Sequence, residues 1–151
     1  MRDRRPLLHI DAQGERVRRD GIDGVFCIAG GPLSFPDAAI LDAVTLRSLP
    51  MRVAALPAVD ALTHAVEAYL SGVGSPLTNA IALGAVKLQY GSLRASINSD
   101  ERAREDNLIA SCMANVACGN ARLGQGHALS LPLEGHLDLP HPYGVGCCCP
   151  R

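Results

Sequence analysis

Apolar residues recur at three- and four-residue intervals through Val59, Leu62, Val66, Tyr69 and Leu70. That period predicts a helix from about Pro57 to the stop at Gly72-Val73-Gly74. On such a helix Asp60, His64 and Glu67 fall together on the face opposite the apolar stripe. Ser75-Pro76 then offers an N-cap followed by proline at the first helical position. A long helix is predicted from Pro76 to about Ile97, with Leu77, Ile81, Ala85, Leu88, Leu93 and Ile97 along one side. Gly84 and Gly91 interrupt it at a cost in propensity, and a close helix contact is their expected use. Asn98 and Glu101 stand at capping-box spacing and open a third helix reaching Gly119 to Arg122. After Gly124-Gln125-Gly126 a shorter segment begins at His127 and closes at Gly135. Upstream of residue 50 the pattern changes to short apolar runs. Leu7–Ile10, Val25–Ile28 and Ala38–Leu41 read as strands, separated by turns at 11–14 and 21–24. Asp42 is placed to cap a short turn or helix that ends near Leu49-Pro50.

Composition narrows the class. In 151 residues, 48% hydrophobic and 19% charged content describes a globular chain rather than a disordered one. The net charge of −1 gives no field that would favour nucleic acid, and 3% aromatics gives no base-stacking platform. No window approaches the run of about 18 apolar residues a membrane span needs. The N-terminal arginines are interleaved with acids, unlike a transit peptide, and 6–10 is too short for a signal core. The six cysteines form no CxxC pair, and Cys112 and Cys118 read as buried small hydrophobes with reduced thiols. A cytoplasmic location and neither nucleic-acid nor membrane partners are therefore expected. The one shift in composition, near residue 50, leaves too few strands to close a sheet and a helical layer without a partner. The chain is expected to be a piece of something larger.

The histidines supply the candidate chemistry. A carboxylate and an imidazole one helical turn apart, as Asp60 and His64 are, can hold one cation, but on this helix alone a solvated face with an acid near its N-terminus is the more ordinary account. His127 follows glycines that let a backbone or ligand approach closely. His141 is restrained between Pro140 and Pro142. One carboxylate and three imidazoles would suit Fe2+ or Zn2+ with coordination positions left open. Glu67 is either a supporting neighbour of that site or a surface salt-bridge residue. Gly30-Gly31-Pro32 lacks the strand–GxGxxG–helix context of a dinucleotide fingerprint.

Several of these segments together resemble the iron-containing (group III) alcohol dehydrogenases. They are Ala38-Ala-Ile-Leu-Asp42, Asp60-Ala-Leu-Thr-His64-Ala-Val-Glu-Ala-Tyr69, Ser75-Pro-Leu-Thr78, Ala103-Arg-Glu105, Gly119-Asn-Ala-Arg-Leu-Gly124, Gly126-His-Ala-Leu129, Pro132-Leu133 and Leu139-Pro-His141. They follow family order and spacing over about residues 25–149. The resemblance implies that Asp60, His64, His127 and His141 are the metal ligands. It implies Fe2+ (or Zn2+) and NAD or NADP as cofactors, and hydride transfer between a small alcohol and its aldehyde or ketone. A homodimer is one assembly open to such a chain.

The same resemblance marks departures. Many members carry a further histidine where this chain has Leu131. His136 matches no ligand position and is assigned to a loop. The family's glycine-rich phosphate loop has no counterpart here, and its members are well over twice this length. The expected fold is predominantly α: residues 1–49 the end of an α/β dinucleotide-binding domain, residues 50–151 the first helices of an all-α metal-binding domain. Against the dehydrogenase stand two rivals. One is an inactive truncated fragment that catalyses nothing alone, and the other is a metal-dependent lyase or hydrolase using the same ligands.

Overall fold

The computed structural model describes residues 15–19, 22–27, 36, 38–137 and 139–148. Its helices run in the order α1 (Met51–Leu70), α2 (Pro76–Ile97), α3 (Glu101–Ala121), α4 (Gln125–Leu137) and α5 (His141–Cys148). An antiparallel hairpin, β1 (Glu15–Arg19) and β2 (Ile22–Cys27), precedes them, with Arg16 opposite Phe26 and Val17 opposite Val25. The predominantly helical architecture is the one expected. The run at 25–28 lies partly in β2, whereas the turn expected at 21–24 is instead occupied from Ile22 onward by that strand. Ala38–Leu41 forms no strand, and Ile40 is almost fully exposed. The expected strand at 7–10 and turn at 11–14 lie outside the described residues. Asp42 does act as a cap, its Oδ1 accepting from Val44 N at 2.9 Å at the start of a 3-10 turn, Ala43–Leu46.

Helix α1 starts six residues before the expected point, because Pro57 lies inside it rather than at its first turn. An interior proline forfeits one backbone hydrogen bond. Pro57 itself is exposed. Helix α2 has the predicted bounds. Ser75 and Thr78 form a reciprocal capping box there, with Thr78 N donating to Ser75 Oγ at 3.2 Å and Ser75 N to Thr78 Oγ1 at 2.7 Å. The cap of α3 is Asp100, not Asn98: Oδ1 of Asp100 accepts from Ala103 N at 2.8 Å. Asn98 instead ends α2, and Ser99 between them takes a left-handed φ of 72°. Helix α5 is not expected from the sequence, since a segment with Pro142, Gly144 and Gly146 has little helix propensity.

The packed faces also differ from the apolar stripes of the sequence. Helices α1, α2 and α3 pack against one another through alanine. Ala65, Ala85 and Ala114 form one buried cluster flanked by Val86 and Met113. Ala68, Ala82, Ala117, Cys118 and Ala121 form a second, flanked by Ile81 and Leu123. Short side chains let helix backbones approach, so the alanine face turns inward. The larger Tyr69, Leu70 and Leu77 are exposed, so the apolar stripe read through Tyr69 and Leu70 does not end in the core. Gly84 does serve a close contact, with Met113 Cε 2.8 Å from where a Cβ would sit, whereas Gly91 faces open space. Two buried polar side chains tie the bundle together. Gln89 donates from α2 to the Ala58 carbonyl of α1 at 2.6 Å. Arg104 donates to the carbonyls of Leu46, Leu49 and Ser96 and to Ser99 Oγ, which joins the segment before α1 to the α2–α3 turn. Among the described residues, no helix is long and apolar enough to cross a membrane.

Candidate metal centre

Helix α1 turns Asp60, His64 and Glu67 inward rather than towards solvent. His64 and Glu67 are buried and Asp60 is nearly so. That orientation follows from the alanines beside them: Ala61, Ala65 and Ala68 occupy the helix contact, and the three polar residues face the start of α4. The chain enters α4 through Gly124, and Arg122 ends α3 with a left-handed φ of 67°. Glu67 then caps α4 from a distance. Its Oε2 accepts from Gly124 N at 2.8 Å, and its Oε1 from Gly126 N at 2.5 Å and His127 N at 3.3 Å. These are among the amide groups a helix start leaves unpaired, and a carboxylate there also complements the helix dipole. A Cβ on Gly126 would lie 2.7 Å from Glu67 Oε1, so glycine is needed for this approach.

Glu67 also fixes His127. The Nδ1 of His127 lies 2.6 Å from Glu67 Oε2. An ionised carboxylate only accepts, so His127 carries a proton on Nδ1 and turns Nε2 the other way. That Nε2 lies 3.3 Å from Asp60 Oδ1. His141, the first residue of α5, has its Nδ1 2.9 Å from each carboxylate oxygen of Glu134, and its Nε2 3.9 Å from Asp60 Oδ1. Asp60, His127 and His141 thus offer one ligand atom each within 4.8 Å of one another. His64 stands beside this triplet. Its ring stacks on His127 with centroids 4.5 Å apart and planes 9° apart, and it lies outside the 4.8 Å set.

Buried polar atoms without partners mark what the cluster lacks. Asp60 Oδ1, both ring nitrogens of His64, His127 Nε2 and His141 Nε2 have no hydrogen-bond partner. An unsatisfied buried polar atom costs about 1–3 kcal/mol, and the three that converge, from Asp60, His127 and His141, ask for a common ligand. A borderline divalent cation matches a donor set of imidazole nitrogens and a carboxylate oxygen. The charges of these groups are coupled. Burial pushes His64 down towards its neutral form, against the pull of Asp60. Burial alone would raise Asp60, but the close approach of His127 and the neighbouring imidazoles hold it below the usual range. For His127, burial is outweighed by the carboxylates of Asp60 and Glu67, which raise it. For Glu67, burial is outweighed by the Gly124 amide, His127 and the Gly126 amide, which lower it.

The sequence picked out Asp60, His64, His127 and His141, and left Glu67 between two roles that its contacts with α4 now separate. It missed Glu134, buried in α4. Spacing gave half a signal: residue 134 lies two helical turns from His127 once α4 is carried past Gly135, but His141 begins a separate helix. His136 is on α4 rather than in a loop, exposed and apart from the cluster. His141 starts a helix rather than standing in a loop.

An all-helical domain with histidines and carboxylates gathered between its first and last described helices defines the class. The family model described as "Fe-containing alcohol dehydrogenase family, C-terminal" matches residues 54–151, and the chain belongs to that family. It is 38% identical over 124 residues to the probable alcohol dehydrogenase EutG of Salmonella typhimurium, covering 81% of this chain and 31% of that protein. The solved iron-containing alcohol dehydrogenase of Thermococcus thioreducens superposes with a TM-score of 0.72 at 39% identity, over 76% of this chain and 30% of that one. Sulfoacetaldehyde reductase of Bifidobacterium kashiwanohense, solved in complex with NAD+, gives a TM-score of 0.76 at 29% identity, over 82% of this chain and 33% of that one. The chain therefore spans about a third of the length of these relatives.

Proposed function

We propose that the chain carries the metal-binding portion of an NAD(P)-linked alcohol dehydrogenase, with Asp60, His64, His127 and His141 holding Fe2+ or Zn2+. In this reading residues 1–49 belong to the end of the cofactor domain and residues 50–151 to the helical metal-binding domain. The observation that carries it is the convergence of Asp60 Oδ1 with the Nε2 atoms of His127 and His141, all buried and without hydrogen-bond partners. Bound there, a divalent cation supplies Lewis acidity that polarises the oxygen of a small alcohol or carbonyl substrate for hydride exchange with the nicotinamide. The protein's part is to bind and orient. Glu67 fixes the His127 tautomer, and α1 supplies Asp60 and His64 one turn apart. A cation bound there would take the place of the proton that the carboxylates of Asp60 and Glu67 favour on His127. The NAD+ complex of the sulfoacetaldehyde reductase and the alcohol dehydrogenases among the relatives support the cofactor and substrate class. A homodimer and a cytoplasmic setting, where thiols such as Cys112 and Cys118 stay reduced, complete the reading.

Metal content after anaerobic loading with Fe2+ or Zn2+ tests this. The chain is expected to hold close to one equivalent, and His127→Ala to lose most of it. Equal retention by His127→Ala would sink the ligand assignment. The length of the relatives favours a second reading, in which the chain holds the metal but turns over no alcohol unaided. Stoichiometric metal without NAD-linked alcohol oxidation would select it.

A further inference from the structure

We infer that Glu134 is a positioning residue for His141, fixing its proton on Nδ1 and so presenting Nε2 to the ligand that Asp60 and His127 share. The inference rests on the metal reading for its purpose, but its geometry stands apart from it. The Glu134 carboxylate is almost fully buried, and both its oxygens lie 2.9 Å from His141 Nδ1. A carboxylate taken out of water needs a partner of this kind, since an unpaired buried charge is strongly unfavourable. The seat is built for it: a Cβ on Gly144 would lie 2.5 Å from Glu134 Oε1 and 2.7 Å from its Cγ. Glycine at 144 is thus the space in which the carboxylate reaches back to the start of α5.

The arrangement repeats the one around His127. There a buried glutamate, Glu67, also sits against glycines of the next helix, Gly124 and Gly126, and also takes the Nδ1 of a histidine. In both cases Nε2 is left without a partner and directed at Asp60 Oδ1, at 3.3 Å from His127 and 3.9 Å from His141. A carboxylate on the distal nitrogen orients a ligating imidazole and raises its basicity. Loss of such a partner typically costs roughly 10–100-fold in metal affinity. Two carboxylate–histidine pairs, with glycines making room for each, would hold both imidazoles with Nε2 aimed at one place before any cation arrives.

The test uses the full chain, with Zn2+ as the probe, and the variants E134A, E134Q and E134M. Zinc affinity is measured by competition with a chromophoric chelator. The His141 tautomer is read in the metal-free protein by long-range 1H–15N NMR at pH 8. E134A is expected to weaken zinc roughly 10–100-fold and to move the His141 proton towards Nε2. E134Q, whose carbonyl oxygen still accepts from Nδ1, is expected to stay within a few-fold of the unaltered chain and to keep the Nδ1–H form. If E134A fails to fold, E134M fills the same space without an acceptor and is expected to behave as E134A should. Unchanged zinc affinity and unchanged tautomer in the folded E134A or E134M protein would overturn the assignment. If the unaltered chain binds no zinc, the metal reading fails, and the tautomer alone then decides whether Glu134 fixes His141.

Discussion

Cys118 shows how placement within a helix contact changes one residue's chemistry. It packs between Ala117 and Ala121 against α1 and α2, and burial, with the negative charge of Asp60 adding to it, pushes its thiol up to about 11 from an ordinary 9.0. A folded-state value raised above the unfolded one favours the folded chain fully below the unfolded value. That advantage is lost as pH rises through the folded value, because only the unfolded chain then ionises freely. The window here is about pH 9 to 11. Two pKa units correspond to about 2–3 kcal/mol as an upper figure. Urea unfolding at pH 7 and pH 10.5 should therefore show a larger loss for the unaltered chain than for Cys118→Ala, and parallel losses would refute the burial argument. Cys118 was legible in advance, since an isolated cysteine in an apolar helical run is usually buried. Asp60, His64, His127 and His141 were singled out in advance, in part by one-turn spacing and by glycine and proline brackets and as a set only by the family resemblance, and the fold brings Asp60, His127 and His141 together. Glu134 was not singled out, because its role appears only when two helices fold back on each other across Pro140.

Helix α2 shows where reading apolar stripes fails. The predicted stripe through Leu77, Ile81, Ala85, Leu88, Leu93 and Ile97 meets the packed face at Ala85 and, half-buried, at Ile81, but the buried line runs Thr78, Ala82, Ala85, Gln89, Ser92 and Ser96. Close packing against α1 and α3 selects small side chains, and the amphipathic pattern cannot announce that, because alanine is hydrophobic enough for either face. The consequence is measurable. Ala114→Leu places a branched side chain in the fully buried cluster with Ala65 and Ala85, and should cost about 1–3 kcal/mol by overpacking. Leu77→Ala, at a position 70% exposed, should change stability little. Denaturation midpoints check both, and the reverse ranking would show that the alanine face is not the packed one. Helix ends were legible where the cap was unambiguous, as Ser75 fixes α2, but not at α3, where capping-box spacing pointed to Asn98 and Asp100 caps instead. They were misread where proline pointed to a start it does not make, as at Pro57, and where a short glycine-containing helix such as α5 depends on tertiary contacts for its stability.

For the molecule as a whole, the candidate metal centre is also a fastening. Among the described residues, α4 and α5 pack on each other and meet the three-helix bundle through α1 alone. The proposed ligands come from the same three elements: Asp60 and His64 from α1, His127 from α4 and His141 from α5. A cation held by all three would cross-link the C-terminal helix pair to the bundle, and it would bind the folded chain far better than the unfolded one. Stabilisation then follows mass action, about 2.7 kcal/mol when free metal is 100 times the dissociation constant. For a chain of this size each kcal/mol moves the melting temperature by about 2–4 °C, so the expected rise is about 5–10 °C. It should grow with the logarithm of free Zn2+ and vanish in His127→Ala. Trypsin gives a second readout, because exposed Arg122 lies in the connection between α3 and α4. Cleavage there should slow when metal is added, since the opening that admits the protease must first release α4 from α1. A melting temperature that ignores saturating metal, with Arg122 cut at an unchanged rate, would mean that the cluster does not join these helices through a cation.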